Sequence, residues 1–113
     1  ARVVPLDRTF LFTPDTLFPL LKAEALSYAG QIGNGSFYVR VERRGHRGDV
    51  QGRRIEQELA AEVIELLTQR GCMARVDFDD PDVIIAIEIV GDECGIGMIT
   101  RSLRERSPFV KVP

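Results

Sequence analysis

Hydrophobic and polar positions alternate most cleanly at residues 37–43, where Phe37, Val39 and Val41 fall on one face and Tyr38, Arg40 and Glu42 on the other. A period of two is that of a half-buried strand. Ile55, Leu59, Val63, Leu66 and Leu67 then recur at spacings of three and four, predicting an amphipathic helix that opens near residue 52 and that Gly71 can terminate. Its opposite face carries Glu56, Glu58, Glu62 and Glu65. Residues 83–90 are apolar on both faces, as in a central strand covered on each side, and after a turn at 91–93 residues 95–100 predict a last strand in a hairpin with it.

Weaker signals fill the gaps. Phe10 and Phe12 alternate with other residues as in a short strand. Thr13-Pro14-Asp15 supplies an N-cap, a proline at the first helical position and a first-turn acid. The helix it opens runs through Leu17, Leu20, Leu21, Ala25 and Tyr28 to a possible stop at Gly30, with Pro19 expected to bend it or split it in two. Residues 30–35 read as a loop, and a short strand at 74–78 leads into the turn Asp79-Asp80-Pro81. Strand, helix and strand between 37 and 78 make a crossover unit. The expected fold is therefore α/β, a mixed β-sheet of four or five strands with helices packed on it.

Length and composition bound this picture without changing it. At 113 residues, 44% hydrophobic and 28% charged, the chain fits one globular domain that buries roughly two-thirds of its unfolded surface. The longest strongly apolar run, residues 83–87, is five residues, far short of a membrane span, and no signal-peptide layout precedes it, so a cytoplasmic protein with no membrane partner is expected. Cys72 and Cys94 lie 22 residues apart without CxxC spacing and read as two reduced thiols. Asn34-Gly35-Ser36 fits a glycosylation sequon but reads better as a turn before a strand.

Charge does change the picture. With 15 basic and 17 acidic residues the net charge is −2, which by itself weighs against a nucleic-acid partner. The distribution is uneven, however. Six arginines, Arg40, Arg43, Arg44, Arg47, Arg53 and Arg54, fall with His46 between residues 40 and 54, against only Glu42 and Asp49, and Arg101, Arg104 and Arg106 stand near the C-terminus against Glu105. Arg53 and Arg54 sit where the helix dipole is positive, a placement disfavoured by about 0.3–1 kcal/mol each. Free helix N–H groups, guanidinium groups and the glycines at 45, 48 and 52 together suit a phosphate. The alternative is a solvated face whose arginines pair with Glu42, Asp49 or Glu56.

These segments resemble a family. The strand FYVRVERRGHRG, with Val39-Arg40-Val41-Glu42-Arg43 as one anchor, the helix RRIEQELAAEVIELL and the stretch Val76-Asp77-Phe78-Asp79-Asp80-Pro81-Asp82-Val83 before a strand containing Glu88 together resemble a THUMP domain. This is the RNA-binding module of tRNA-modifying proteins such as thiouridine synthetases, tRNA methyltransferases and pseudouridine synthases. The tail TRSLRERSPFVKV resembles the end of stand-alone members, including the accessory protein of tRNA cytidine acetylation. The resemblance implies one THUMP-like domain over 1–113, with a helical lead-in at 8–36, a core at 37–100 and a basic tail at 101–113. It implies binding near the acceptor region of tRNA and a tRNA-modifying enzyme as a possible partner, with no DNA.

The expected function is that of a non-catalytic module, without a cofactor, that docks tRNA for a modification enzyme on a separate chain. The expected RNA-binding residues are Arg40, Arg43, Arg44, His46, Arg47, Arg53, Arg54, Arg101, Arg104 and Arg106. A second reading keeps the fold and sets the arginines against an acidic protein surface. Other chemistry fits poorly. Asp77, Asp79, Asp80 and Asp82, with Glu88 twelfth in the series, suggest a calcium loop, but Asp82 stands where the glycine is required and Pro81 interrupts it. His46 is the single histidine, so no two-histidine metal site exists, and no hydrolase, zinc-protease or Walker motif occurs. Tyr38 and Phe109 could stack on a base, although packing is the commoner role for such residues.

Overall fold

The alternation at Phe37, Val39 and Val41 becomes strand β2, and the element order around it follows in a computed structural model that describes residues 6–44 and 51–106. The elements are β1 (Arg8–Leu11), α1 (Pro14–Ser27), α2 (Ala29–Ile32), β2 (Ser36–Arg44), α3 (Gly52–Gln69), β3 (Arg75–Val76), β4 (Val83–Val90), β5 (Glu93–Thr100) and α4 (Arg101–Arg106). The five strands form one mixed sheet in the order β1-β5-β4-β2-β3, parallel where β2 meets β4 and β3, antiparallel where β5 meets β4 and β1. The expected α/β class and strand number hold.

One sheet face carries Phe37, Val39, Val83, Ile85, Ile87, Ile89, Cys94 and Ile96, all buried under α1 and α3. Those helices contribute the spacings read from the sequence, Leu17, Leu21 and Ala25 from α1 and Ile55, Leu59, Val63 and Leu67 from α3. Burial of each large apolar side chain contributes roughly 1.5–3 kcal/mol. The second face holds a smaller cluster, Ile84, Ala86 and Ile99, against which Tyr38 and Leu103 of α4 pack. So β4 is apolar on both faces because both are covered. Burial pushes the Cys94 thiol up to about 12, as for an inert packing residue.

Four local expectations shift. Pro19 lies inside an unbroken α1. It removes one hydrogen bond, to the carbonyl of Asp15 in the exposed first turn, where water can replace it. The break comes instead at Tyr28, and Gly30 lies within α2 instead of closing the helix. The strand at 74–78 shortens to Arg75–Val76 because the Asp77 carboxylate accepts the N–H groups of Asp79 and Asp80, at 2.9 and 3.2 Å, turning the chain out of the sheet. The short strand expected around Phe10 does form, as β1 paired with β5. The tail begins as a helix, started by Thr100, whose hydroxyl accepts the Leu103 N–H at 3.1 Å. α3 ends as expected at Gly71, whose φ of +80° favours glycine.

Gly35 packs where no side chain fits. A Cβ there would lie 2.5 Å from an Asp82 carboxylate oxygen and 2.9 Å from the Ile32 carbonyl oxygen. Gly35→Ala should therefore lower stability by about 1–3 kcal/mol in urea unfolding, while Gly30→Ala, with open space around it, should not.

Candidate nucleic-acid interface

Apart from Arg40, in the middle of β2, the described residues expected to bind RNA fall into two groups at opposite ends of that strand. Arg43 and Arg44 close the strand, and the start of α3 packs beside them. A Cβ on buried Gly52 would lie 3.3 Å from the Val41 side chain and 3.9 Å from the Arg43 guanidinium nitrogen Nε. This close approach brings Arg53 and Arg54, in the first turn of α3, to the same end of the sheet. Among the described residues α3 has no side-chain N-cap and no acid in its first turn, so its first N–H groups and positive dipole add to the four guanidinium groups. His46 and Arg47 lie outside the described residues.

Among the described residues, pairing at this end is light. Arg54 meets Glu58 at 3.0 Å across one helical turn and Arg44 meets Glu42 at 3.6 Å, both exposed on the arginine side. Such surface pairs contribute about 0.2–1 kcal/mol and exchange readily for a phosphate. Arg43 and Arg53 are exposed and meet no acid among the described residues. Glu56, which could have neutralised them, instead accepts the Val41 N–H at 2.8 Å.

Arg40 lies further back on the second sheet face, beside Tyr38. Its Nε is buried and has no hydrogen-bond partner among the described residues. Burial raises the Tyr38 hydroxyl pKa, and the charges of Arg40 and Arg104 partly oppose that rise. The Tyr38 ring also meets Phe78, with centroids 5.7 Å apart. Phe78 is 75% exposed, an aromatic at the surface that the sequence pattern did not single out. Phe109 lies outside the described residues.

The other end is different in kind. Ser36 begins β2 and Asp82 immediately precedes β4, with Ser36 roughly 26 Å from Arg44 at about 3.3 Å per strand residue. Here Arg101 donates to Asp80 at 2.6 Å, to Asp82 at 3.1 Å and to the Asp80 carbonyl at 2.9 Å. Arg104 donates to the Pro81 carbonyl and lies 3.8 Å from Asp80. These arginines hold α4 to the turn before β4. Arg106 is exposed. The partners Asp80 and Asp82 stand about twenty positions before the arginines, and no local signal in the sequence links the two segments.

The turn titrates accordingly. The Ser36 N–H and then Arg101 hold the Asp82 carboxyl below its usual range, and the N–H groups of Asp79 and Asp80 do the same for Asp77. A depressed folded pKa stabilises above the ordinary carboxylate value of about 4 and is lost as pH falls through the folded value. Asp82→Asn should thus lower the urea midpoint near neutrality, and the difference from the parent protein should close in acid. Parallel midpoints across the range would contradict this linkage. Among the described residues no cluster of His, Cys, Asp or Glu could hold a metal ion, and no helix is long and apolar enough to cross a membrane.

The THUMP domain family model matches residues 21–98. The fold is similar to that of TrmN from Thermus thermophilus, with a TM-score of 0.63, 18% identity, and coverage of 82% of this chain and 27% of that one. It is also similar to a 4-thiouridine synthetase solved with RNA and ATP, with a TM-score of 0.61, 22% identity, and coverage of 80% and 23%. The solution structure of the THUMP domain of THUMP domain-containing protein 1 gives a TM-score of 0.53 at 19% identity, over 72% of this chain and 86% of that one. The chain thus spans about a quarter of the length of the first two proteins. No curated protein sequence matches it.

Proposed function

Since the chain belongs to the THUMP domain family, RNA-binding domains of tRNA-modifying proteins, we propose that it binds tRNA through the end of the sheet where β2 meets α3. The observation that carries this reading is the approach of Arg43, at the end of β2, to the start of α3, which bears Arg53 and Arg54, with Arg44 next along the strand and with Arg43 and Arg53 free of acidic partners among the described residues. Arg40 extends the set along the second face, and His46 and Arg47 belong to it by their place in the chain between β2 and α3. Arg101 and Arg104 would have to leave Asp80 and Asp82 to reach a phosphate, so their part is to hold α4, while Arg106 supplies an outlying contact.

The module is non-catalytic. It docks the acceptor region of tRNA for a modification enzyme on a separate chain in the cytoplasm, as stand-alone members of the family resemble it in their tails. The family match and the neighbour solved with RNA support RNA as the ligand, and the acceptor region is what the resemblance to the family implies. Arginine contacts to phosphates carry little sequence information, and A-form RNA is read by shape and 2′-hydroxyls. Binding therefore discriminates duplex RNA from DNA more than one sequence from another.

The test is to purify the native protein with and without nuclease and to sequence what is retained. Enrichment of tRNA, and loss of any partner enzyme when the RNA is digested, supports this reading. A protein that stays after digestion in place of tRNA supports the acidic-partner alternative.

A further inference from the structure

We propose that the free edge of β2, from Val39 to Arg43, takes an extended polypeptide segment of a partner protein, one that alternates apolar and acidic residues. Strand β3 pairs only with Ser36 and Phe37, so the rest of the edge has no neighbouring strand among the described residues. The Asp77 N–H donates to the Phe37 carbonyl at 3.0 Å, which fixes the odd-numbered residues of β2 as those whose backbone groups face outward. Val39, Val41 and Arg43 thus present their carbonyls there. The Val41 N–H is already engaged by Glu56, a side chain that occupies one donor and leaves the acceptors beside it.

A groove of about 420 Å³ lies between the Val39 end of this edge and α3, its apolar lining from Val39, Ala60, Ala61, Ile64, Val76 and Phe78 and its polar lining from Arg53, Glu56 and Gln57. The volume holds a few side chains. Its walls are apolar, and Phe78 is 75% exposed, surface that water solvates poorly. Charge selects the occupant. The groove's one acid, Glu56, is bonded to the Val41 N–H, whereas Arg53 has no acidic partner among the described residues. An added strand donates its N–H groups to the Val39 and Val41 carbonyls, places alternate apolar side chains in the groove and offers a carboxylate to Arg53. An RNA strand supplies neither the regular backbone donors nor the apolar side chains.

The experiment follows backbone amide shifts of the isotope-labelled full chain while a synthetic seven-residue peptide alternating valine and glutamate is added. Shifts confined to Val39, Val41, Arg43 and the groove side of α3 are expected. Affinity should fall at least tenfold in Ala61→Phe, which fills the groove from an exposed helical position, and about threefold to tenfold in Arg53→Ser. Ala61→Phe should leave tRNA binding unchanged, so failure here is distinguishable from failure of the RNA reading. Absence of shifts, equal binding of the lysine-for-glutamate peptide, displacement of the peptide by oligouridylate at these same amides, or occupation of the edge by a second copy at rising concentration would each overturn the proposal.

Discussion

Replacing Arg43, Arg44 and Arg53 together by serine should weaken tRNA binding by several hundred-fold at 0.1 M salt, the effect of losing three released counterions. The unaltered protein, making about five phosphate contacts through Arg40, Arg43, Arg44, Arg53 and Arg54, should show a log K against log salt slope of around −4, and the triple variant a slope of roughly −1 to −2. Filter binding from 50 to 200 mM salt measures both. The three side chains are exposed or end-of-element, so the urea midpoint should hardly move. The matching control replaces Arg101 and Arg104. There stability should fall, because Asp80 and Asp82 lose their partners, while the salt slope stays close to that of the unaltered protein.

Phe37→Ala should cost about 3–5 kcal/mol of folding stability, the usual range for deleting a buried phenylalanine. Phe37 is fully buried against the core under α3 and, among the described residues, stands at the only point where β2 has strands on both sides, paired with Val76 and Val83. The cavity would open where three strands and a helix meet, so little collapse can offset it. Tyr38→Ala, one position on, removes a half-buried ring from the second face and should cost distinctly less. Denaturant unfolding of the two variants reads the strand's register, because a slip of one residue would exchange their effects.

Much of the fold was legible because its signals are local. The two-residue alternation of β2, the three-and-four spacing of α3 and the doubly apolar run of β4 each report burial through the sequence itself, and all three elements appear with nearly the expected bounds. What the sequence hid is non-local or polar. The shortening of β3 depends on a carboxylate bonding two N–H groups downstream, and α4 is too short to show a period. The arginines illustrate the same division. Their clustering along the chain was visible, but not that Arg101 and Arg104 fold back onto Asp80–Asp82 while Arg43 and Arg53 stay unpaired among the described residues. Along the chain they form two segments, 40–54 and 101–106, and the sheet sets these toward two ends of β2 with Arg40 between them.

That sorting is the centre of the account, and amide-shift mapping of the labelled protein with tRNA tests it most directly. The prediction is that shifts and line broadening concentrate at Arg43, Arg44 and residues 52–54, with Arg40 beside them, and leave residues 80–82 and 101–104 little changed. Perturbation centred on Asp80–Asp82 and α4, with the junction of β2 and α3 silent, would contradict it.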